Sequence, residues 1–586
     1  PSRWKEGTML RELKTATAAV LAVAVVMTAP GSATGTEGRL RLKDGYPDRR
    51  SGAEDQSFSS HGKKALPGFV PVARDALSRA LGRGRLAPSS YALERARSLF
   101  RLGAVREEFG DVARPDPRAA TLILRDLALR KAELGGRERV EAEKILARPN
   151  DEDGGIYGKR YNTDPTSQCT SNLCFHWVAQ QGNKDFASES FVADTIATFE
   201  EVWQNQIVEQ GYREPKSDAD SANPGPTGQL DVYLAEIGSD GLYGYCTTDD
   251  PKVTDPDSTY PYFDASAYCV VDNDYLGFLR TPLENLRVTA AHEFFHAVQF
   301  AYDAWEDSWF MEGTSVAIED ILYDDINDNY AYLQKSQLRF PAHPVDLTND
   351  GSGFGFRYGS WIFWRFMTEY HGTGTIADNT VLRDAWERAD GSAGGKDEYS
   401  LQAIAKVSNA PGRGVPFREA FADYGWFNFI PEAVYEEGAG YLDALLGKRP
   451  PLTKVLTVSR RRPKTGALST ELDHLTHAYA AFDPGRGTDG KKLKVKLDLP
   501  RYKRGPEATL LVIRKDGLVT VKPFALNSDG DAARSAPFSR SKIRTVILVL
   551  TNASTRTKCW QSFVDRSCRG RPLDDDLGFT FKAKLR

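Results

Sequence analysis

The chain has 586 residues, 41% hydrophobic and 11% aromatic, which is enough apolar material for roughly two or three folded units and too much for a disordered chain. Its formal net charge of −4 hides an asymmetry: residues 36–150 carry net +8, residues 151–450 net −29 and residues 451–586 net +15. So acidic a middle repels phosphate, which excludes nucleic acid as a partner, and the change of sign suits docking of the basic N-terminal segment on the acidic middle.

At the start, Met9, Arg11 and Lys14 precede an apolar run over 16–29, followed by Gly31-Ser32-Ala33. This reads as residues before a signal peptide and the signal itself, ending at Ala33. The run stops at Pro30, short of the ~20 residues a membrane span needs. The mature protein is therefore expected to be secreted and to hold no membrane segment. Residues 36–65, rich in Gly, Ser and charge, read as a linker. Leu122, Leu124, Leu127 and Leu129, then Val140, Ala142 and Leu146, put helical spacing into residues 68–148. The whole of 34–150 is thus a basic helical segment, either a propeptide or a plain helical subdomain.

Residues 151–450 form the acidic unit. Strands are expected over 175–180 and 230–237 with a helix over 191–207 between them, and residues 282–440 read as mainly helical. From 451 to 586 the pattern changes to short alternating runs at 493–499, 509–513, 518–521 and 545–550, which predicts a basic antiparallel β-sandwich. Six cysteines fall as close pairs, Cys169/Cys174, Cys246/Cys269 and Cys559/Cys568, and short loops favour that sequential disulfide pairing.

The chemistry concentrates at His292-Glu293-Phe294-Phe295-His296. Histidines at i and i+4 project from one face of a helix, so both imidazoles reach one tetrahedral ion, with Glu293 placed to take a proton from metal-bound water. Thr281-Pro282-Leu283-Glu284 supplies a capping box with proline at the first helical position. Val288, Ala291, Phe295 and Val298 supply the apolar stripe.

Downstream stands Trp309-Phe310-Met311-Glu312-Gly313-Thr314-Ser315. The pair HExxH and WxxEGxx resembles the gluzincin peptidases, in which a glutamate on the next helix completes the site. Residues from about 160 to 435 also look like an uncharacterised group of secreted bacterial proteins read as metalloproteases. The match there rests on Asp231-Val232-Tyr233-Leu234, Tyr243-Gly244-Tyr245, the stretch His292 to Asp303, and Glu312-Gly313-Thr314. The resemblance implies an α+β zincin-like domain with a small mixed sheet, one Zn²⁺ held by His292, His296 and Glu312, and endopeptidase action on a protein or peptide substrate. Thermolysin-like peptidases carry an Asp four residues after that glutamate; position 316 here is Val.

Glu319 or Asp320 fits a carboxylate that holds a ligand histidine, or a solvated helix face. Tyr358 is the candidate donor to an oxyanion, or else core packing; His343 and His371 are the other candidates. Asp324, Asp325 and Asp328, or Asp255 and Asp257, suggest Ca²⁺ but lack the spacing of an EF-hand loop. Two alternatives stand beside the peptidase: a zinc hydrolase of a non-peptide bond, and a secreted binding protein with a structural zinc site.

Overall fold

The computed structural model describes residues 38–42, 75–151, 160–221, 224–255, 258–347, 355–371, 380–411, 413, 415–560 and 566–586. The signal peptide expected over 1–33 lies outside them. Helices and mixed sheets share the chain, as the sequence predicts for an α+β protein. No helix among the described residues is long and apolar enough to cross a membrane.

Five strands of the acidic middle build the sheet that positions the site: β1 (Thr166–Cys169), β2 (Leu173–Trp177), β3 (Leu230–Ala235), β4 (Gly244–Thr247) and β5 (Tyr268–Asp272). Their spatial order is β1-β2-β3-β5-β4. β2, β3 and β5 run parallel, and β1 and β4 are antiparallel edges. Every residue of β3 and β5 is buried, which requires cover on both faces. Val232 and Leu234 pack into one core with Phe199, Leu286 and Phe294 from the helices of the acidic unit. Tyr233 and Val270 face the other way, into a core with Leu124, Leu127 and Ala128 of helix α1 (Ala120–Arg130). The N-terminal helical segment therefore supplies the second face of the sheet. Arg148 fastens its end: the guanidinium is fully buried, 2.6 Å from Asp231 and 2.9 Å from Asp218, with Asp249 at 2.8 Å.

Three further helices carry the site: α2 (Pro282–Asp303), α3 (Ser308–Leu322) and α4 (Trp361–His371). α2 starts where the sequence predicts. The Glu284 amide donates to the Thr281 hydroxyl, and the Thr281 amide donates to the Glu284 carboxylate.

The C-terminal residues form a six-stranded and a four-stranded sheet that share one core, with Phe482, Leu510 and Leu548 from the first meeting Leu497, Phe579 and Phe581 from the second. One expectation is corrected here. Gly38–Arg41 belongs to no linker but is the outermost strand of the six-stranded sheet, antiparallel to Leu518–Pro523 with Leu40 opposite Val519. An edge strand offers a row of unpaired N–H and C=O groups, and this short alternating piece satisfies them; the Gly- and charge-rich composition around it masked the alternation. The three cysteine pairs close at disulfide distance in the expected sequential set.

His474 pins the C-terminal sheets to the helical unit. Its Nε2 lies 3.0 Å from Asp346 and its Nδ1 2.7 Å from Asp575, all out of contact with bulk water on the histidine side. Burial pushes the imidazole down, but the two carboxylates outweigh it and raise it from 6.5 to about 9. The stabilisation is present in full below pH 6.5 and disappears as the pH climbs through 9. Chemical denaturation between pH 6 and 10 is expected to show a loss of about 3 kcal/mol, on the scale of 1.36 kcal/mol per unit. His474→Asn should flatten that profile; an equally steep profile in the variant would remove the assignment.

Candidate metal centre

Three ligand atoms meet between α2 and α3. His292 Nε2 and His296 Nε2 are 3.1 Å apart, and Glu312 Oε2 is 3.3 Å from the first and 3.5 Å from the second. One helical turn sets the two imidazoles edge to face, 4.7 Å between ring centres, and α3 packs on α2 to bring the carboxylate. For zinc bonds of about 2.0–2.1 Å, tetrahedral geometry puts ligand atoms about 3.3 Å apart. The triangle matches that spacing on all three edges.

The donor chemistry agrees. Glu312 and His296 are fully buried and His292 is 7% exposed, so a carboxylate sits where water cannot screen it. Oε2 of Glu312 has no hydrogen-bond partner, although the atom is buried. A buried carboxylate oxygen is stabilised by positive charge close by. Burial alone would raise the Glu312 carboxyl, yet the two imidazoles beside it and Arg357 hold it well below the usual carboxylate range. His292 is driven the opposite way: burial lowers it, and Glu312 and Glu319 together raise it well above an ordinary histidine.

Each ligand is oriented from behind. His292 Nδ1 lies 2.5 Å from Glu319 Oε1, so of the two carboxylates it is Glu319 that holds this histidine. Asp320, the other candidate for that role, points away and takes Asn329 and Arg365 instead. His296 Nδ1 lies 2.7 Å from Gln299 Oε1. The Gln299 amide nitrogen donates to the Met311 carbonyl at 3.0 Å and to the Thr314 and Ser315 hydroxyls at 3.1 Å, which fixes its oxygen toward the ring. Both histidines therefore keep Nδ1 as donor and turn Nε2 toward the metal position. Tyr358 donates to Glu312 Oε1 at 2.8 Å, leaving Oε2 to face the histidines. In this arrangement its hydroxyl orients a ligand; the oxyanion role expected from sequence requires it to leave that oxygen.

Two glycines permit the close packing. A Cβ at Gly313 would lie 2.3 Å from Ser360 Oγ and 2.7 Å from Trp364 Nε1, so the residue after Glu312 must be small for α3 to meet α4. A Cβ at Gly244 would lie 2.7 Å from Thr289 and 3.1 Å from the Glu293 side chain, which is why edge strand β4 can rest on α2. The Cys246–Cys269 disulfide ties β4 to β5 at that point, with Cys246 Sγ 3.0 Å from the Glu293 carbonyl.

Glu293 faces the cleft at 5% exposure. Its Oε2 accepts a hydrogen bond from Thr121 Oγ1 at 2.7 Å, a contact from the N-terminal segment. Sequence reading found neither Thr121 nor Gln299. The latter carried a weak signal, seven residues beyond His292 on the same helical face.

The remaining candidates lie apart. His343 stacks on Phe340 with 5.2 Å between ring centres, and the side chains of His371 and Asp257 fall outside the described residues. Asp320, Asp324 and Glu437 form a second carboxylate group. Arg365 lies 3.3 Å from Asp320, 3.8 Å from Asp324 and 2.8 Å from Glu369, so a buried cation already pairs with part of this acidity. Asp328 pairs with Arg280 at 3.0 Å. No family model matches the chain and no curated protein matches it.

Removing an orienting partner should weaken metal binding without unfolding the helices. Glu319→Gln and Gln299→Leu are each expected to lower zinc affinity about 10- to 100-fold, measured by competition against a chromogenic chelator. Unchanged affinity in both would mean that the histidines need no help from behind.

Proposed function

We propose that this chain is a secreted zinc-dependent endopeptidase whose catalytic unit is zincin-like and is followed by a β-sandwich. The observation that carries the reading is the convergence of His292, His296 and Glu312 on one point, with the carboxylate of Glu293 beside it facing the cleft. The long helix α2 packed on a mixed sheet with antiparallel edges, and α3 packed on α2, support the fold assignment, and the two C-terminal sheets sharing one core support the sandwich. Three disulfide-bonded pairs support an oxidising, extracellular destination.

His292, His296 and Glu312 would hold the ion, which when bound supplies a Lewis acid and an acidified water. Glu319 and Gln299 keep the two imidazoles in the ligating tautomer, and Tyr358 turns Glu312 toward them. Glu293 takes the proton from the attacking water and delivers it to the leaving amine. A fourth protein ligand would argue for a structural ion. Among the described residues, the grouping of possible ligands at this point ends at three, and Glu293 would serve no purpose beside a purely structural metal.

Glu293→Gln separates binding from chemistry. The variant should keep one equivalent of zinc by elemental analysis and lose about 10²- to 10⁴-fold in kcat/KM against a peptide library, the range general-base catalysis supplies. The digest is run on the intact chain and after limited proteolysis, with and without chelator. Cleavage by the variant at the parent's rate, or cleavage indifferent to chelator, would end the reading.

A further inference from the structure

The cleft is lined in part by the chain's own N-terminal segment. Residues 113–119 lead into α1 across the mouth of the metal centre, and two side chains enter. Thr121 Oγ1 donates to Glu293 Oε2 at 2.7 Å and accepts from the Cys246 amide at 3.0 Å. That amide belongs to edge strand β4, whose other side pairs with β5. One hydroxyl thus engages both the base and the sheet edge.

Arg118 enters beside it. It shares a cavity with His292, Glu293, Tyr332, Tyr243 and Asp328. The guanidinium lies 5.4 Å over the Tyr332 ring, within the range of a cation–π contact. Tyr243 and Asp328 stand in the same wall; burial alone would lower the guanidinium, and Tyr332, Asp116 and Asp328 outweigh it and raise it. Asp328 itself is held by Arg280 at 3.0 Å. One aromatic face, that of Tyr332, and the carboxylate of Asp328 in the same wall make a cation socket, inside a unit that carries net −29 over residues 151–450. Arg118 arrives with Asp116 and Pro117 in a tight turn, and Thr121 is already helical. The segment therefore offers side chains to the centre, and the carbonyls of Asp116 and Pro117 accept the hydrogen bonds of the turn.

We propose that the cavity beside the metal ligands, which Arg118 lines in the intact chain, is a subsite for a cationic side chain whose place against Tyr332 is now taken by Arg118, so that the substrates are peptides carrying arginine or lysine at that position. The substrate half of this rests on the endopeptidase reading; the subsite itself does not. The N-terminal segment is then a competing occupant whose displacement exposes Glu293 and the β4 edge together.

The test uses N-acetyl-arginine methylamide, an arginine residue in peptide dress, and its norleucine counterpart as the uncharged control. By calorimetry, Arg118→Ala should bind the arginine compound at least about tenfold more tightly than the unaltered chain does, since the internal competitor is gone. It should ignore the norleucine compound, and adding Asp328→Asn should cost about tenfold. Equal binding by variant and parent, or equal binding of both compounds, overturns the subsite. Where Arg118→Ala does not fold, the unaltered chain answers. Titration with the arginine compound should speed hydrogen exchange of the amides around 118–125 in a saturable way, and no change in exchange overturns the proposal. In the library digest Arg118→Ala should cleave faster than the parent and mainly beside arginine or lysine; fast cleavage without that preference overturns it too. Binding as described without hydrolysis by any variant keeps the cation subsite and removes the endopeptidase.

Discussion

A carboxylate with no exposure to water, set between two imidazoles, is the constraint on which the site is organised. Burying Glu312 is unfavourable unless a positive charge stands within bonding distance, and the cost in a dry interior is several kcal/mol per unpaired ion. The surroundings answer that demand in layers. The capped start of α2 sets the phase at which His292 and His296 share a face. Gly313 lets α3 and α4 approach until Glu312 reaches them. Gln299, Glu319 and Tyr358 then remove the rotational freedom that each ligand would otherwise retain. None of these contacts is strong alone, but together they leave one arrangement of three donor atoms.

The sheet explains why such an arrangement survives so close to the surface. Its central strands are covered on one face by the helices that bear the ligands and on the other by the N-terminal segment. Helix α1 therefore has two jobs that pull against each other: it completes a core through Leu124 and Leu127, and at its first turn it occupies the cleft through Thr121. The first explains why the segment stays, and the second why its presence matters to the chemistry. Asp231 lies away from the candidate metal centre and anchors Arg148, so it belongs to the fastening of this segment.

Much of the centre was legible in the linear sequence because it is local. An i, i+4 histidine pair, a capping box and a glutamate before a glycine all lie within about one helix and the next, where periodicity constrains geometry. The sequential disulfides were legible for the same reason. What escaped depends on contacts that no local pattern encodes. Thr121 reaches Glu293 across 172 positions, and the strand Gly38–Arg41 pairs with residues near 520. Between Glu319 and Asp320 the choice turned on the rotation of α3 about its axis, which the burial pattern of that fully buried helix left undetermined. Tyr358 was found by its neighbourhood, but its hydroxyl points at a ligand, a direction that only packing against Tyr332 and Glu312 decides.

The strand Gly38–Arg41 gives the N-terminal segment a second attachment, far along the chain from Arg148. A helix tethered on both sides of its docking site meets that site at an effective concentration in the millimolar range or higher. Free peptide in the medium would have to match that figure to compete, however good its individual contacts. A single break in the backbone between the two tethers changes the arithmetic without altering any contact in the cleft: one attachment no longer confines the helix, and its return becomes a slower and less frequent event. Chain connectivity thus adds to the contacts that hold α1 against the cleft.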